Sequence, residues 1–200
     1  MIIGSKVYYY DLVTSTNDIA HQMAREGASE GTVIFAEQQS NGRGRMGNRW
    51  VSPKGEGILA SIILRPDIPF LDAHEWTIMA GVGVAKAIRD TFGLTAMIKW
   101  PNDILINGKK VCGILTEASG QGIERVEYLI IGIGINVNSD IASLPEGATS
   151  IKAELGPEAA ADVDRMGFTK ELLKTLDKEY AEFTCNKYRE HEYLNRFIQR

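Results

Sequence analysis

The dipeptide Asn107-Gly108 constrains this chain more than any other feature, because it separates two apolar runs, Ile104-Leu105-Ile106 and Val111-Cys112-Gly113-Ile114-Leu115. A two-residue hairpin turn needs a left-handed backbone at its central positions, which Asn and Gly adopt readily, and it returns the flanking runs onto each other. A purely parallel sheet is thereby excluded. Further strands are expected over 6–10, 32–37, 58–64, 96–100 and 127–137, where β-branched and aromatic residues cluster between turn formers. A helix is expected to start within Thr14-Ser15-Thr16-Asn17 and to run to about Glu26, with Gly27 as its stop. A second is expected over 73–92, with Gly81 and Gly83 allowing close packing on the sheet. A third is expected over 168–188, with Thr169 as N-cap and Phe168 and Leu173 as a hydrophobic staple. Residues 139–165 show little periodicity. Helices beside a sheet that holds a hairpin give the fold class α+β, a mixed sheet flanked by helices.

With 200 residues, 44% of them hydrophobic and 24% charged, the chain reads as a single domain with a sizeable core. No apolar run approaches the roughly 18 residues of a membrane span and no signal peptide is evident, so a cytoplasmic protein with no membrane partner is expected. Cys112 and Cys185 have no metal-ligand spacing and read as small core-type residues; His21, His74 and His191 are scattered and read as surface or helix residues.

Charge is unevenly placed. The chain carries a net charge of -4, yet residues 38–55 hold Arg43, Arg45, Arg49 and Lys54 and no acidic residue. A short cationic segment on an acidic protein suits an anionic small molecule better than a nucleic acid, which needs a wide basic face. The stretch Gly42-Arg43-Gly44-Arg45-Met46-Gly47 satisfies G-x-G-x-x-G, but residues 48–55 cannot propagate the helix that a dinucleotide fingerprint opens. What it offers is a run of backbone N–H groups with guanidinium groups at alternate positions, able to wrap phosphate or carboxylate oxygens. A solvated Gly/Arg loop accounts for it equally well. Lys99-Trp100-Pro101-Asn102-Asp103 places a cation, an aromatic ring and a polar pair between two strands, where sites are commonly assembled and where turns are common too. Alternation along the next strand puts Lys110 on one face with Cys112 and Ile114, an odd companion for a buried face unless an anion is near or the lysine snorkels from an edge. In Ile131-Gly132-Ile133-Gly134-Ile135-Asn136 the two glycines suggest close approach of a ligand or of another backbone.

Taken in order, Ser15-Thr16-Asn17, the run from Gln39 through Gly42-Arg43-Gly44-Arg45 to Trp50, Lys99-Trp100-Pro101-Asn102-Asp103, Lys110-Val111-Cys112-Gly113-Ile114-Leu115 and Gly132-Ile133-Gly134-Ile135-Asn136 closely resemble the biotin protein ligases, over about residues 6–190. The resemblance implies the class II synthetase-like catalytic domain of biotin and lipoate ligases and a two-step reaction. Biotin and MgATP give biotinyl-5'-AMP and pyrophosphate; a lysine ε-amine of a biotin carboxyl carrier protein then attacks the mixed anhydride. By the same resemblance Ser15, Thr16, Asn17 and Gln39, with Gly42, Arg43, Gly44 and Gly113, hold the biotin. Arg43, Arg45 and Lys110 hold its carboxylate and then the adenylate phosphate. Trp50 packs over the adenine or the biotin tail, while Lys99, Asn102, Asp103 and Asn136 line the nucleotide side. Arg45, Lys110 and Asp103 are the expected catalytic residues, Asp103 assisting the acceptor lysine. No protein-held metal is expected, since Mg²⁺ arrives on ATP, and a homodimer is expected. The sequence departs from the pattern at Gly47-Asn48, where many members have Gly-Arg. With a first strand near Lys6 and an end at Arg200, one catalytic domain over 1–200 is expected, without a helix-turn-helix domain or a C-terminal β-barrel. A lipoate or octanoate ligase, or a module that sequesters biotin or its adenylate without transfer, are the alternatives.

Overall fold

The computed structural model describes residues 1–120, 124–157 and 162–185. Seven strands, β1 (Lys6–Val13), β2 (Thr32–Gln39), β3 (Gly57–Leu64), β4 (Ala96–Lys99), β5 (Asp103–Ile106), β6 (Lys109–Ser119) and β7 (Tyr128–Asn136), form one sheet in the order β1-β2-β3-β7-β6-β5-β4. Only β1 and β2 run parallel; every other neighbouring pair is antiparallel. The helices are α1 (Thr16–Arg25), α2 (Ala73–Phe92), α3 (Ile151–Leu155) and α4 (Arg165–Thr184). This is the mixed sheet with flanking helices expected from the sequence.

The β5–β6 hairpin is the tight turn that its residues require: Asn107 and Gly108 have φ of 50° and 77°, and Ile106 pairs with Lys109. One step further the register slips. Leu105 opposes Lys110 but Ile104 opposes Cys112, so Val111 is an extra residue, a β-bulge. The bulge corrects the expected facing of Lys110. Val111 and Cys112 both enter the core, while the Lys110 side chain lies over Gly113 on the opposite face.

Alternation along β3 and β7 divides the sheet between two cores. Ile58, Ala60, Ile62 and Leu64 with Leu129, Ile131, Ile133 and Ile135 face α2 and α4, whereas Ile63 and Ile130 join Ala20 and Ala24 of α1. Both strands are buried along their whole length, so nearly every position must be apolar or small. Gly81 of α2 approaches Ile98 of β4, as expected; Gly83 serves another contact, with Leu176 of α4, whose Cδ2 lies 2.7 Å from where a Cβ would stand.

The start of α4 differs from expectation. Asp164 is the N-cap and accepts from the N–H of Gly167 at 3.0 Å, while Thr169 lies inside the helix and donates to the carbonyl of Arg165. Phe168 is no staple residue: it is buried edge-on against Phe92 of α2. α4 ends at Thr184, and positions 186–188 and His191 lie outside the described residues. The short α3, capped by Ser150, lies in the stretch without sequence periodicity. Cys112 is fully buried, but Cys185 is exposed and not a core residue. Among the described residues no helix is long and apolar enough to cross a membrane.

Candidate active site

A helix of ten residues cannot cover one face of a seven-stranded sheet. α1 packs over β2, β3 and β7, and beyond its N-terminus the same face of β7 and β6 lies open. The side chains due there are the smallest available. A Cβ on Gly132 would collide with the Asn17 amide; one on Gly134 would stand 2.5 Å from Cε2 of the Trp50 indole, and one on Gly113 3.0 Å from its Cζ3. The glycines thus admit side chains of α1 and of the following loop, where the sequence suggested a ligand or another backbone.

That loop is an arm with internal order. Gly44 donates to the carbonyl of Asn48 at 2.7 Å and Trp50 to that of Gly42 at 3.0 Å, with Arg43 and Arg49 bridged. Its tip is a single 3₁₀ turn, Arg45–Gly47, in which Met46 has a φ of 57°. No helix follows the glycines, as the residues after them require. Folded back, the arm roofs a cavity of about 210 Å³.

The cavity floor is laid by β3 and β7, and its polar and charged lining comes from five further segments. Ser15, Thr16 and Asn17 come from the head of α1, Gln39 from the end of β2, and Arg43, Gly44, Arg45 and Trp50 from the arm; Asn102 and Asp103 precede and open β5, and Lys110 and Gly113 come from β6. Three anticipated residues are not among its lining. Gly42 is buried behind Trp50, Lys99 is exposed at the end of β4, and Asn136 donates to the carbonyl of Thr149 at 3.0 Å. A neighbouring cavity of about 390 Å³ shares Arg45, Asn102, Ile114 and Leu115, and is also lined by His74 and Thr77 of α2 and by the Trp100-Pro101 turn.

At one end of the cavity hydrogen bonds fix the polar atoms. Gln39 Oε1 accepts from the Thr16 N–H at 2.7 Å and from its hydroxyl at 3.1 Å, which turns the Gln39 amide NH₂ away from α1. Ser61, fully buried on β3, donates to Asn17 Oδ1 at 2.5 Å, and Asn17 Nδ2 donates to Glu117 Oε2 at 2.6 Å. At the other end Lys110 Nζ lies 2.7 Å from Asp103 Oδ1, off the direction of a hydrogen bond, and 5.7 Å from the centre of the Trp50 ring. Trp50 Nε1 and Arg43 Nε are buried without a hydrogen-bond partner among the described residues. Arg45, exposed on the arm, has no ion-pair partner among the described residues. The result is a slot with a neutral polar end, an aromatic wall and a cationic end, suited to a small molecule that carries a negative charge at one extremity.

Sequence reasoning missed Ser61, Glu117 and His21. Ser61 had a signal, a lone hydroxyl inside the run Ile58-Leu59-Ala60-Ser61-Ile62-Ile63-Leu64, since a buried polar group needs a partner. Glu117 is found only with the fold in hand: it lies four residues from Gly113 on the same face of β6, beneath the arm. Burial pushes its pKa up, but hydrogen bonds from His21 and Asn17 and the charge of Arg43 outweigh that and hold it below the ordinary glutamate value. Burial raises the Cys112 pKa far above the ordinary thiol value, which leaves it an inert core residue.

The seven-stranded mixed sheet with this slot on one face has the class II synthetase-like fold of biotin protein ligase catalytic domains. It superimposes with a TM-score of 0.80, at 27% identity over 97% of this chain and 78% of the other, on a biotin protein ligase from Aquifex aeolicus in complex with biotin and ATP. The model of the Biotin/lipoate A/B protein ligase family matches residues 9–136, and the chain belongs to that family. It is 42% identical over 187 residues to the bifunctional ligase/repressor BirA of Bacillus subtilis, covering 94% of this chain and 57% of that one. It is 36% identical over 167 residues to a biotin–[acetyl-CoA-carboxylase] ligase of Paracoccus denitrificans, 78% of this chain and 68% of that one. The chain thus spans a little over half the length of the Bacillus relative.

Proposed function

We propose that this chain activates biotin with ATP and transfers it to a lysine of a biotin carboxyl carrier protein. The observation that carries the reading is a single slot whose neutral end offers Thr16, Asn17 and Gln39 and whose other end offers Arg45 and Lys110. The neutral end suits a ureido ring, which donates and accepts hydrogen bonds without charge; the cationic end suits a carboxylate and a phosphate.

In the first step a biotin carboxylate oxygen attacks the α-phosphorus of ATP and the bond from that phosphorus to the bridging oxygen of pyrophosphate breaks. Two anions must meet, and Arg45 and Lys110 offset their repulsion and the charge that develops between them. Arg43 is placed differently, since its Nη2 is held by two carboxylates. Mg²⁺ would enter on the triphosphate and share its charge, and Asp103 is the one carboxylate lining the slot that could reach it. In the second step the acceptor ε-amine attacks the acyl carbon, the bond to the phosphate oxygen breaks, AMP leaves, and Asp103 takes the proton from the amine. The arm keeps water from the anhydride between the two steps. The need for ATP and for a carrier protein supports a cytoplasmic setting for this chemistry. Among the described residues no strand pairs with the outer edge of β1, which supports pairing with a second copy.

The test is pyrophosphate release with MgATP and biotin, run beside lipoate and octanoate, followed by intact-mass measurement of an added carrier domain. Release that depends on biotin, with one biotin added to the carrier, is expected. Turnover with lipoate or octanoate but not biotin overturns the substrate assignment, and release without labelling overturns the transfer.

A further inference from the structure

An arm that roofs a slot is only as steady as the side chains that fasten it. Among the described residues, the arm's one ion-paired arginine is Arg43, whose Nη2 lies 2.9 Å from Glu117 Oε2 and 2.9 Å from Asp18 Oδ1. The same Glu117 oxygen accepts from Asn17 Nδ2 at 2.6 Å and lies 3.4 Å from His21 Nε2. Glu117 therefore holds at one point the arm, through Arg43, and the head of α1, through Asn17. It is not among the residues lining the slot.

We propose that Glu117 is a positioning residue: from β6 it fastens the roof and the neutral end of the slot in register with each other, and it touches nothing that binds beneath. Its loss frees two groups together. Asn17, whose Oδ1 is held by Ser61, is then oriented from one side only, and Arg43 keeps only the partly exposed Asp18. An ion pair that exposed is weak, so the arm lifts more often.

The fastening is read on the free full-length protein, independently of any substrate. Trypsin cuts after Arg45 and Arg49, both exposed on the arm, are resolved by mass, with the exposed Lys174 on α4 as the reference site. Glu117→Gln is expected to speed the arm cuts about tenfold and to leave the cut after Lys174 unchanged, in keeping with the loss of a charged hydrogen bond. Arg43→Gln, on the surface arm, should do the same, and the double variant should be cut no faster than the faster single one. Wild-type rates in Glu117→Gln, an equal rise at Lys174, or multiplying effects in the double variant overturn the proposal. The inference rests on the ligase reading only for what the arm covers. With biotin and MgATP, Glu117→Gln should raise KM for biotin about tenfold with kcat within about twofold of wild type; a fall in kcat at unchanged KM also overturns it. If the wild type releases no pyrophosphate with biotin, the ligase reading fails and the proteolysis still decides the role of Glu117.

Discussion

At the scale of single residues the slot separates two kinds of arginine that the sequence presents as equivalent. Arg43 and Arg45 alternate with glycines in one short run, yet one is clasped by Asp18 and Glu117 and the other stands without an ion-pair partner among the described residues. Arg45→Ala is accordingly expected to cut biotin-dependent pyrophosphate release at least about 100-fold while leaving the melting temperature unchanged, the size typical of removing a donor aimed at developing charge. Activity within a few-fold of wild type would remove Arg45 from the chemistry. Gly134→Ala should push the Trp50 indole off the sheet, because the added methyl stands 2.5 Å from Cε2. The expected cost is about 1–3 kcal/mol of stability in urea titration, with a red shift in tryptophan emission. The third residue-scale prediction concerns acid. Glu117 meets Asn17 and His21 of α1 and Arg43 of the arm; beyond them Arg43 also pairs with Asp18, and the other ring nitrogen of His21 lies 3.4 Å from the Tyr128 hydroxyl. Its pKa in the folded state is depressed below the ordinary 4.5, so the clasp is at full strength above that value and is lost as the pH falls through the lower folded one. Trp50 emission should stay flat from pH 7 to about 5 and change only in stronger acid, and Glu117→Gln should abolish that change. A transition near pH 6 in the wild type, or an unaltered one in Glu117→Gln, would show that another group governs the arm.

At the scale of elements, most of the fold was legible because each strand and helix carried its own boundary chemistry. α2 spans the expected 73–92 because its apolar spacing is long and Gly93 takes the left-handed conformation after it. The start of α4 was misplaced because the buried apolar period begins at Phe168 while the helix begins a turn earlier, behind Asp164, with Arg165, an exposed Met166 and Gly167 in that turn. Capping geometry decides it: Asp164→Ala should cost about 1 kcal/mol in urea unfolding, and Thr169→Val less than about 0.5 kcal/mol. The reverse order would restore the cap read from the sequence. The site was legible as a set of motifs, but not its pairings. Which side of β6 carries Lys110 depends on one extra residue, Val111, and a bulge leaves no trace in an apolar run. Glu117 escaped notice for a related reason, since nothing local to it distinguishes a strand carboxylate under an arm from one in water.

At the scale of the whole molecule the sheet divides its work. The face beneath α2 and α4 holds the larger core, and the face beneath α1 holds the slot. Binding in the slot draws on segments far apart in the chain, from Ser15 to Gly134, so ligand and global stability should be strongly linked. With biotin at about 100 times its dissociation constant added to protein already saturated with MgATP, mass action contributes about 2.7 kcal/mol more, a rise of roughly 5–10 °C in melting temperature for a chain of this size. Octanoate with MgATP should give no comparable rise; an equal one would mean that the neutral end does not read the ureido ring.

Gly113, Gly132 and Gly134 have one more implication. A recess made by leaving atoms out can be altered in one direction only: any substitution at these positions fills it. Variation at these three positions can therefore narrow what the slot accepts and never widen it. Room for a bulkier acid has to come from Asn17, Trp50 and Lys110, the side chains that lie on the glycines, and two of these are borne on the short helix and the arm. Divergence toward new substrates would then be written in the helix, in the arm and at Lys110, while the glycines beneath stay as they are.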